Sequence, residues 1–263
     1  MDELRRALKQ YYYKPALALF RAVELQAIEE MSPSFEPPVL DLGCGDGVFM
    51  SMLGREPIAA GIDISETAVA TAGANGTYGE VRVGTAAALP FADARFKTVF
   101  SNCVLEHIPE IDKVLSEVNR VLLPGGKLVF TVPSQYFDEF LFGYRFYKKM
   151  GLGRRAERYP LKVDRRIKQI HKEGPEWWAD KLSHAGLEML ESRYYLPEPA
   201  LGCWDILNVQ PLRVLSLARF APRPAKTLLA ALENSLLKKP VAAWSEPQAG
   251  PGAGLIVLAR KKN

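Results

Sequence analysis

Cysteine is scarce in this chain of 263 residues: Cys44, Cys103 and Cys203 are the only three, and they stand far apart. Their spacing excludes a disulfide framework and any zinc pattern built on paired cysteines, and it leaves reduced thiols in a cytosolic protein as the expectation. No metal site is expected. No apolar run approaches the ~18 residues that a membrane span needs. The opening segment Met1-Asp2-Glu3-Leu4-Arg5-Arg6 lacks the apolar centre of a signal peptide, so no leader is expected. Internal repeats and low-complexity tracts are missing too, and repeat architectures go with them.

What is present fits a soluble α/β protein. Apolar residues make up 48% and charged residues 24%, near the averages for globular chains. The length suits one large domain with insertions, or a domain and a half. The net charge of +4 is unevenly spread. Residues 141–172 hold eleven Lys/Arg and two acids, a net of +9, so the rest of the chain carries −5. Concentrated charge of this kind speaks to partners more than the total does.

The hydrophobic pattern alternates between strand and helix after an opening helical stretch. Residues 2–31 read as one or two helices with a break at Pro15, followed by the breaker cluster Ser32 to Pro38. Strands are expected at Val39–Leu42, Ile58–Ile62, Val81–Val83, Phe96–Ser101 and Lys127–Val132. Helices are expected near Val48–Leu53, after a Ser65 cap, and over Ile111–Leu123, where Ile111, Val114, Leu115, Val118, Val121 and Leu122 share one face. Such alternation implies a mostly parallel sheet covered by helices, with ligands at the carboxyl ends of its strands. A helix at Pro175–Ala185, a strand at Leu187–Tyr195, helix-like stretches near 205–219 and 224–238, and a last strand at Gly254–Arg260 follow.

The chemistry gathers at those strand ends. Gly43, Gly45 and Gly47 alternate with Cys44 and Asp46 directly after the first strand and its Asp41. Glycine lets a ligand touch the backbone, and the free N–H groups of the following helix face that ligand. The dinucleotide fingerprint G-x-G-x-x-G would need its third glycine at Val48, so this turn departs from it. Asp63, at the end of the second strand, can accept two hydrogen bonds from a ribose diol. That device serves more than one class of adenosine cofactor. The remaining blocks, in order, are Leu89-Pro90-Phe91, Ser101-Asn102-Cys103-Val104-Leu105-Glu106-His107-Ile108-Pro109 and Leu123-Pro124-Gly125-Gly126-Lys127-Leu128.

Taken together, these blocks over about residues 37–133 resemble the class I S-adenosylmethionine-dependent methyltransferases, in particular the small-molecule branch that includes quinone-biosynthesis enzymes. The resemblance implies a Rossmann-like, doubly wound α/β fold. Its sheet has seven strands, mostly parallel with the last antiparallel, with N-terminal helices and helical insertions after strands five and six. It implies an N-terminal helical lid (1–36), a cofactor-binding core (37–133), a basic substrate-side insertion (134–175), and the C-terminal part of the core (176–263) with a helical insertion at about 196–253.

The implied cofactor is S-adenosylmethionine, with S-adenosylhomocysteine as product. Asp41, Gly43, Cys44, Gly45 and Gly47 would hold its methionine portion and Asp63 its ribose. Ile64 would pack on the adenine, and Asn102 and Cys103 would line the sulfonium side. Thr85-Ala86 stands where the family often has an acid and alanine, so a hydroxyl replaces a carboxylate. Lys97 stands where Asp is common.

Displacement at an activated methyl group mainly needs alignment and exclusion of water. A general base helps when the acceptor is a hydroxyl, and His107 and His171 are the candidates. His107 could equally orient its local turn. Trp177-Trp178 is expected to pack in the core or a lid, and Tyr11-Tyr12-Tyr13 to cover the cofactor site or lie on the surface. After strand four there is no Asn/Asp-Pro-Pro-Tyr, which argues for an oxygen, carbon or amine acceptor.

The acceptor is expected to be a small-molecule or lipid-linked metabolite. For the basic stretch 141–172, a solvated face, an anionic membrane surface and RNA all stay open, with nucleic acid disfavoured because no RNA-binding module accompanies it. A homodimer is a further expected arrangement, and the expected location is cytoplasmic, peripheral to a membrane if the basic stretch docks. The alternatives to this enzyme are a catalytically silent cofactor-binding interaction protein and an RNA methyltransferase.

Overall fold

The computed structural model describes residues 2–11, 14–30, 35–54, 58–208 and 250–262. Tyr12, Tyr13 and the helix-like stretches expected from 209 to 238 lie outside them. The chain divides into two compact units.

The first unit comprises Glu30–Pro133, Gln169–Arg193 and Leu255–Asn263. It is built on a seven-stranded sheet of order β3-β2-β1-β4-β5-β7-β6. The strands are β1 (Val39–Leu42), β2 (Ile58–Asp63), β3 (Tyr78–Val83), β4 (Phe96–Asn102), β5 (Leu122–Pro133), β6 (Leu187–Tyr195) and β7 (Gly254–Lys261). β1 to β5 pair in parallel, with Asp41 beside Gly61 on one flank and Phe100 on the other. β7 enters between β5 and β6 and runs antiparallel. All four residues of β1 are buried, as expected for a strand covered on both faces.

The helices follow their sequence signals. Ser65 caps α4 (Glu66–Ala74), its Oγ accepting the Ala68 N–H at 3.3 Å. α5 (Ile111–Val121) buries Ile111, Val114, Leu115, Val118 and Val121, the expected stripe. It stops two residues early, because the backbone turns extended at Leu122 and enters β5 directly. The expected start of that strand at Lys127 is corrected to Leu122. Phe96 opposes Leu122 and Thr98 opposes Lys127, so Pro124-Gly125-Gly126 is taken up as an irregularity within the strand. β3 likewise starts at Tyr78, three residues before the expected Val81. In α9 (Pro175–His184), Trp178 is fully buried against Phe130, with ring centroids 4.9 Å apart.

The second unit comprises Met1–Glu29, Ser134–Lys168 and Tyr194–Gly254. Its described helices are α1 (Asp2–Tyr11), α2 (Pro15–Glu30), α6 (Phe137–Phe140), α7 (Phe142–Lys149), α8 (Gly153–Ile167) and α10 (Glu198–Leu207). Most of the basic stretch, read from sequence without assigned elements, is thus α7 and α8, and Pro160 is accommodated inside α8. A buried carboxylate pins this unit. Asp205 accepts the Gly143 N–H at 3.0 Å and the Tyr159 hydroxyl at 2.9 Å, and burial raises its pKa.

At Gly143 a Cβ would lie 2.2 Å from the Tyr159 ring. Gly143→Ala is therefore expected to destabilise the protein by about 1–3 kcal/mol through forced repacking of α7 and α8. Urea unfolding reads this directly, and an unchanged midpoint would show that the two helices separate without cost.

Candidate functional site

The glycine turn lies at the carboxyl end of β1. Gly43 and Gly45 have φ of +79° and +54°, in the left-handed region that glycine enters without strain. The turn is tied to β2, as the Gly43 and Cys44 N–H groups both donate to the Ile62 carbonyl at 2.8 and 3.0 Å. A Cβ on Gly43 would lie 2.3 Å from Val104, so β1 and the segment after β4 approach at a distance only glycine permits. A Cβ on Gly45 would meet nothing within 4 Å. That side of the turn is open. α3 (Val48–Leu53) starts at once behind it, with Asp46 Oδ1 accepting the Val48 N–H at 3.1 Å.

Asp63 ends β2 and joins the turn to α4. Its Oδ2 accepts the Gly45 N–H and its Oδ1 the Ser65 N–H, each at 2.9 Å. An ionised carboxylate has about four acceptor positions, so two stay available to a further donor. Next to it, Ile64 is 77% exposed and Val83 49% exposed, an apolar surface beside a fixed carboxylate.

Asp41 lies deeper, 5% exposed, and accepts the Tyr78 hydroxyl at 2.6 Å. Burial pushes its pKa up to about 7; the Tyr78 hydrogen bond works against the rise and the Asp63 charge adds to it. The Cys44 thiol is buried in the same place, and desolvation together with these carboxylates raises its pKa out of reach of thiolate chemistry.

After β4 the chain is locked to β5 through Thr131. Its hydroxyl donates to Asn102 Oδ1 at 2.5 Å, and the Cys103 N–H reaches Thr131 O and Oγ1 at 3.1 Å. Cys103 has φ +53°, an uncommon backbone for a residue with a side chain. Thr85 Oγ1 accepts the Ala87 N–H at 3.3 Å, capping its own turn, and Ala86 is buried.

His107 is 39% exposed at its side chain, with Nε2 3.7 Å from Glu106 Oε1. His171 Nε2 lies 3.0 Å from the Ile108 carbonyl. A carbonyl only accepts, so that nitrogen carries the hydrogen and only Nδ1 is left to take a proton. Both histidines are thus attached to the segment after β4, His171 by the Glu106 carbonyl as well.

The structure gathers Asp41, Gly43, Cys44, Gly45 and Asp63 through direct hydrogen bonds or chain continuity. Asn102 and Cys103 form a second group, held on Thr131. Tyr78, Thr131 and Val104 complete the geometry and were not singled out from sequence. A strand starting at Tyr78 would have placed that tyrosine opposite Ile58, on the strand next but one to Asp41. Thr131 carries no motif of its own.

Residues 40–130 match the family model described as a methyltransferase domain. Over those residues the chain carries a methyltransferase domain. The domain is 36% identical over 109 residues to the arsenite methyltransferase of Aquipseudomonas alcaligenes, covering 35% of this chain and 32% of that protein. It is 28% identical over 145 residues to the ubiquinone biosynthesis O-methyltransferase of Coxiella burnetii, covering 51% and 62%. The matches thus span from about a third to just under two thirds of these relatives' length.

In fold the chain is similar to an S-adenosylmethionine-dependent methyltransferase from Mesorhizobium loti, with a TM-score of 0.57, 19% identity, and coverage of 92% of this chain and all of that one. The methyltransferase domain includes every element of the glycine turn, Asp63, Thr85-Ala86 and the Asn102–His107 segment. Among the described residues no helix is long and apolar enough to cross a membrane, and no group of His, Cys, Asp and Glu is arranged to hold a metal ion. The residues present fit the cofactor: an open backbone turn, a carboxylate with spare acceptor positions and an exposed apolar surface lie side by side.

Proposed function

We propose that the protein transfers the methyl group of S-adenosylmethionine to a small-molecule or lipid-linked metabolite by in-line displacement. The observation that carries this reading is the Asp63 carboxylate, fixed between the Gly45 and Ser65 amides within the matched domain. In this reading its spare acceptor positions take the ribose hydroxyls, and Ile64 covers the adenine. Asp41 and the glycine turn receive the methionine end, with Asn102 and Cys103 on the sulfonium side. Thr85 and Ala86 line the adenine edge without the family's usual carboxylate.

The methyl group is already activated in the cofactor, so the protein's work is orientation and exclusion of water. Half-exposed His107 is the base for an acceptor that must lose a proton, and His171 has only Nδ1 to offer that task. One of the two named relatives is an O-methyltransferase, which supports an oxygen acceptor.

Calorimetric titration with S-adenosylhomocysteine tests the cofactor reading, with one site per chain as the expected result. A well-folded sample that binds none would end it. Transfer of labelled methyl to an extractable metabolite, absent with S-adenosylhomocysteine in excess, tests the acceptor class.

A further inference from the structure

The hairpin of α7 and α8 carries an unusual surface. Along α7 and just beyond it, Phe142, Phe146 and Met150 recur every fourth residue and are 43%, 49% and 61% exposed. Residues four apart on a helix stack along one face, and the Phe142 and Phe146 rings lie 6.0 Å apart in stacked geometry. Leu152, in the connection, and Leu161, on α8, are also exposed, at 39% and 55%. A soluble helix normally turns such residues inward.

α8 does turn its apolar face inward, burying Ala156, Pro160 and Val163. Its outer face is a cationic ridge: Arg154, Arg158, Lys162 and Arg165 follow at spacings of four, four and three, and all are exposed. Among the described residues none of these four is engaged by a carboxylate, whereas Arg145 on α7 pairs with Glu198 and Arg166 stacks over Trp204 at 5.9 Å. Leaving about four like charges together on one helix face costs stability, and an anionic partner removes that cost. Exposed Leu161 falls within this ridge, three residues after Arg158, and apolar side chains on a basic helical face are the pattern of helices that lie in a membrane interface.

We propose that the α7–α8 hairpin docks on an anionic phospholipid bilayer. Phe142, Phe146 and Met150 enter the acyl boundary, and the Arg154, Arg158, Lys162 and Arg165 ridge lies on the headgroup phosphates. Charge complementarity favours this occupant, since the +9 stretch belongs to a chain whose remainder is negative. The exposed phenylalanines favour a bilayer over RNA, whose backbone would leave that apolar stripe in water. This surface is independent of the methyl-transfer reading.

Co-sedimentation of the full chain with vesicles tests it. Vesicles of phosphatidylcholine with 30% phosphatidylglycerol, about a third anionic lipid, are expected to retain the protein at low salt and release it at high salt. Pure phosphatidylcholine vesicles are expected to retain little. Replacing Arg154, Arg158, Lys162 and Arg165 by Gln should lower the vesicle partition coefficient by about 100-fold or more. Phe142→Ser with Phe146→Ser should lower it by at least about tenfold while leaving the slope with salt in place.

Circular dichroism confirms that each variant is folded. A protein that stays in solution with anionic vesicles at low salt overturns the proposal, as does equal retention on both kinds of vesicle. Release from anionic vesicles by an equal mass of RNA also overturns it, as does light scattering that shows a dimer lost on the Phe142→Ser, Phe146→Ser change. S-adenosylhomocysteine binding by the same variants is expected to be unchanged, which separates failure here from failure of the cofactor site.

Discussion

Asp63→Ala is expected to weaken S-adenosylhomocysteine binding by about 1,000-fold. Hydrogen bonds to a charged group are worth about 1.5–3 kcal/mol each, and the ribose diol would lose two. The same carboxylate holds the Gly45 and Ser65 amides, so its removal also frees the glycine turn from α4. Asp63→Asn separates the two effects. An amide oxygen still accepts one of the backbone N–H groups, but the charge is gone, and about a 10–100-fold loss is expected. Calorimetry on both variants, with urea unfolding to measure the turn's share, decides the matter. Unchanged affinity in Asp63→Ala would remove this residue from the site.

The second large effect is a dependence on pH that belongs to Asp41. Its pKa in the folded protein is about 7, against an ordinary value of 3.8. The native state therefore holds a proton that the unfolded chain has already released between those values. The stability this contributes is fully present below about pH 4 and is lost as pH rises through about 7. A difference of about three units corresponds to about 4 kcal/mol across that window.

Asp41→Asn should remove this slope, so the variant loses less stability than the parent between pH 4 and pH 8. Urea unfolding of the pair across that range measures it, and parallel curves would refute the assignment. Tyr78→Phe should steepen the fall, because its hydroxyl stabilises the ionised form. Under the proposed function the cofactor brings an ammonium group to this region. Cofactor affinity should then rise with pH towards 7 as Asp41 becomes ionised.

The parallel half of the sheet was legible from sequence because each strand is short, apolar and followed by a turn signal. The α5 stripe and the Ser65 cap were legible for the same local reasons. Asp41, Asp63 and the glycine turn stood out because backbone geometry restricts those positions to few residue types. Tyr78 and Thr131 were not legible. Each acts across the sheet on a residue far away in sequence, Asp41 in one case and Asn102 with Cys103 in the other, and no local pattern encodes that pairing. The start of β5 was misplaced because Pro124-Gly125-Gly126 reads as a turn, while the sheet absorbs it as an irregularity. α8 carries Pro160 at mid-length, where local rules end a helix, so only its packing on α7 identifies it.

The order of strands has a consequence for synthesis. β7 follows β6 in sequence, yet it lies between β5 and β6. While a ribosome still holds residues 254–261, β5 is left with an unpaired edge and β6 has no neighbour on which to form. An uncovered edge beside a buried strand is a template for intermolecular pairing, so the nascent chain is exposed to aggregation in the interval before β7 emerges.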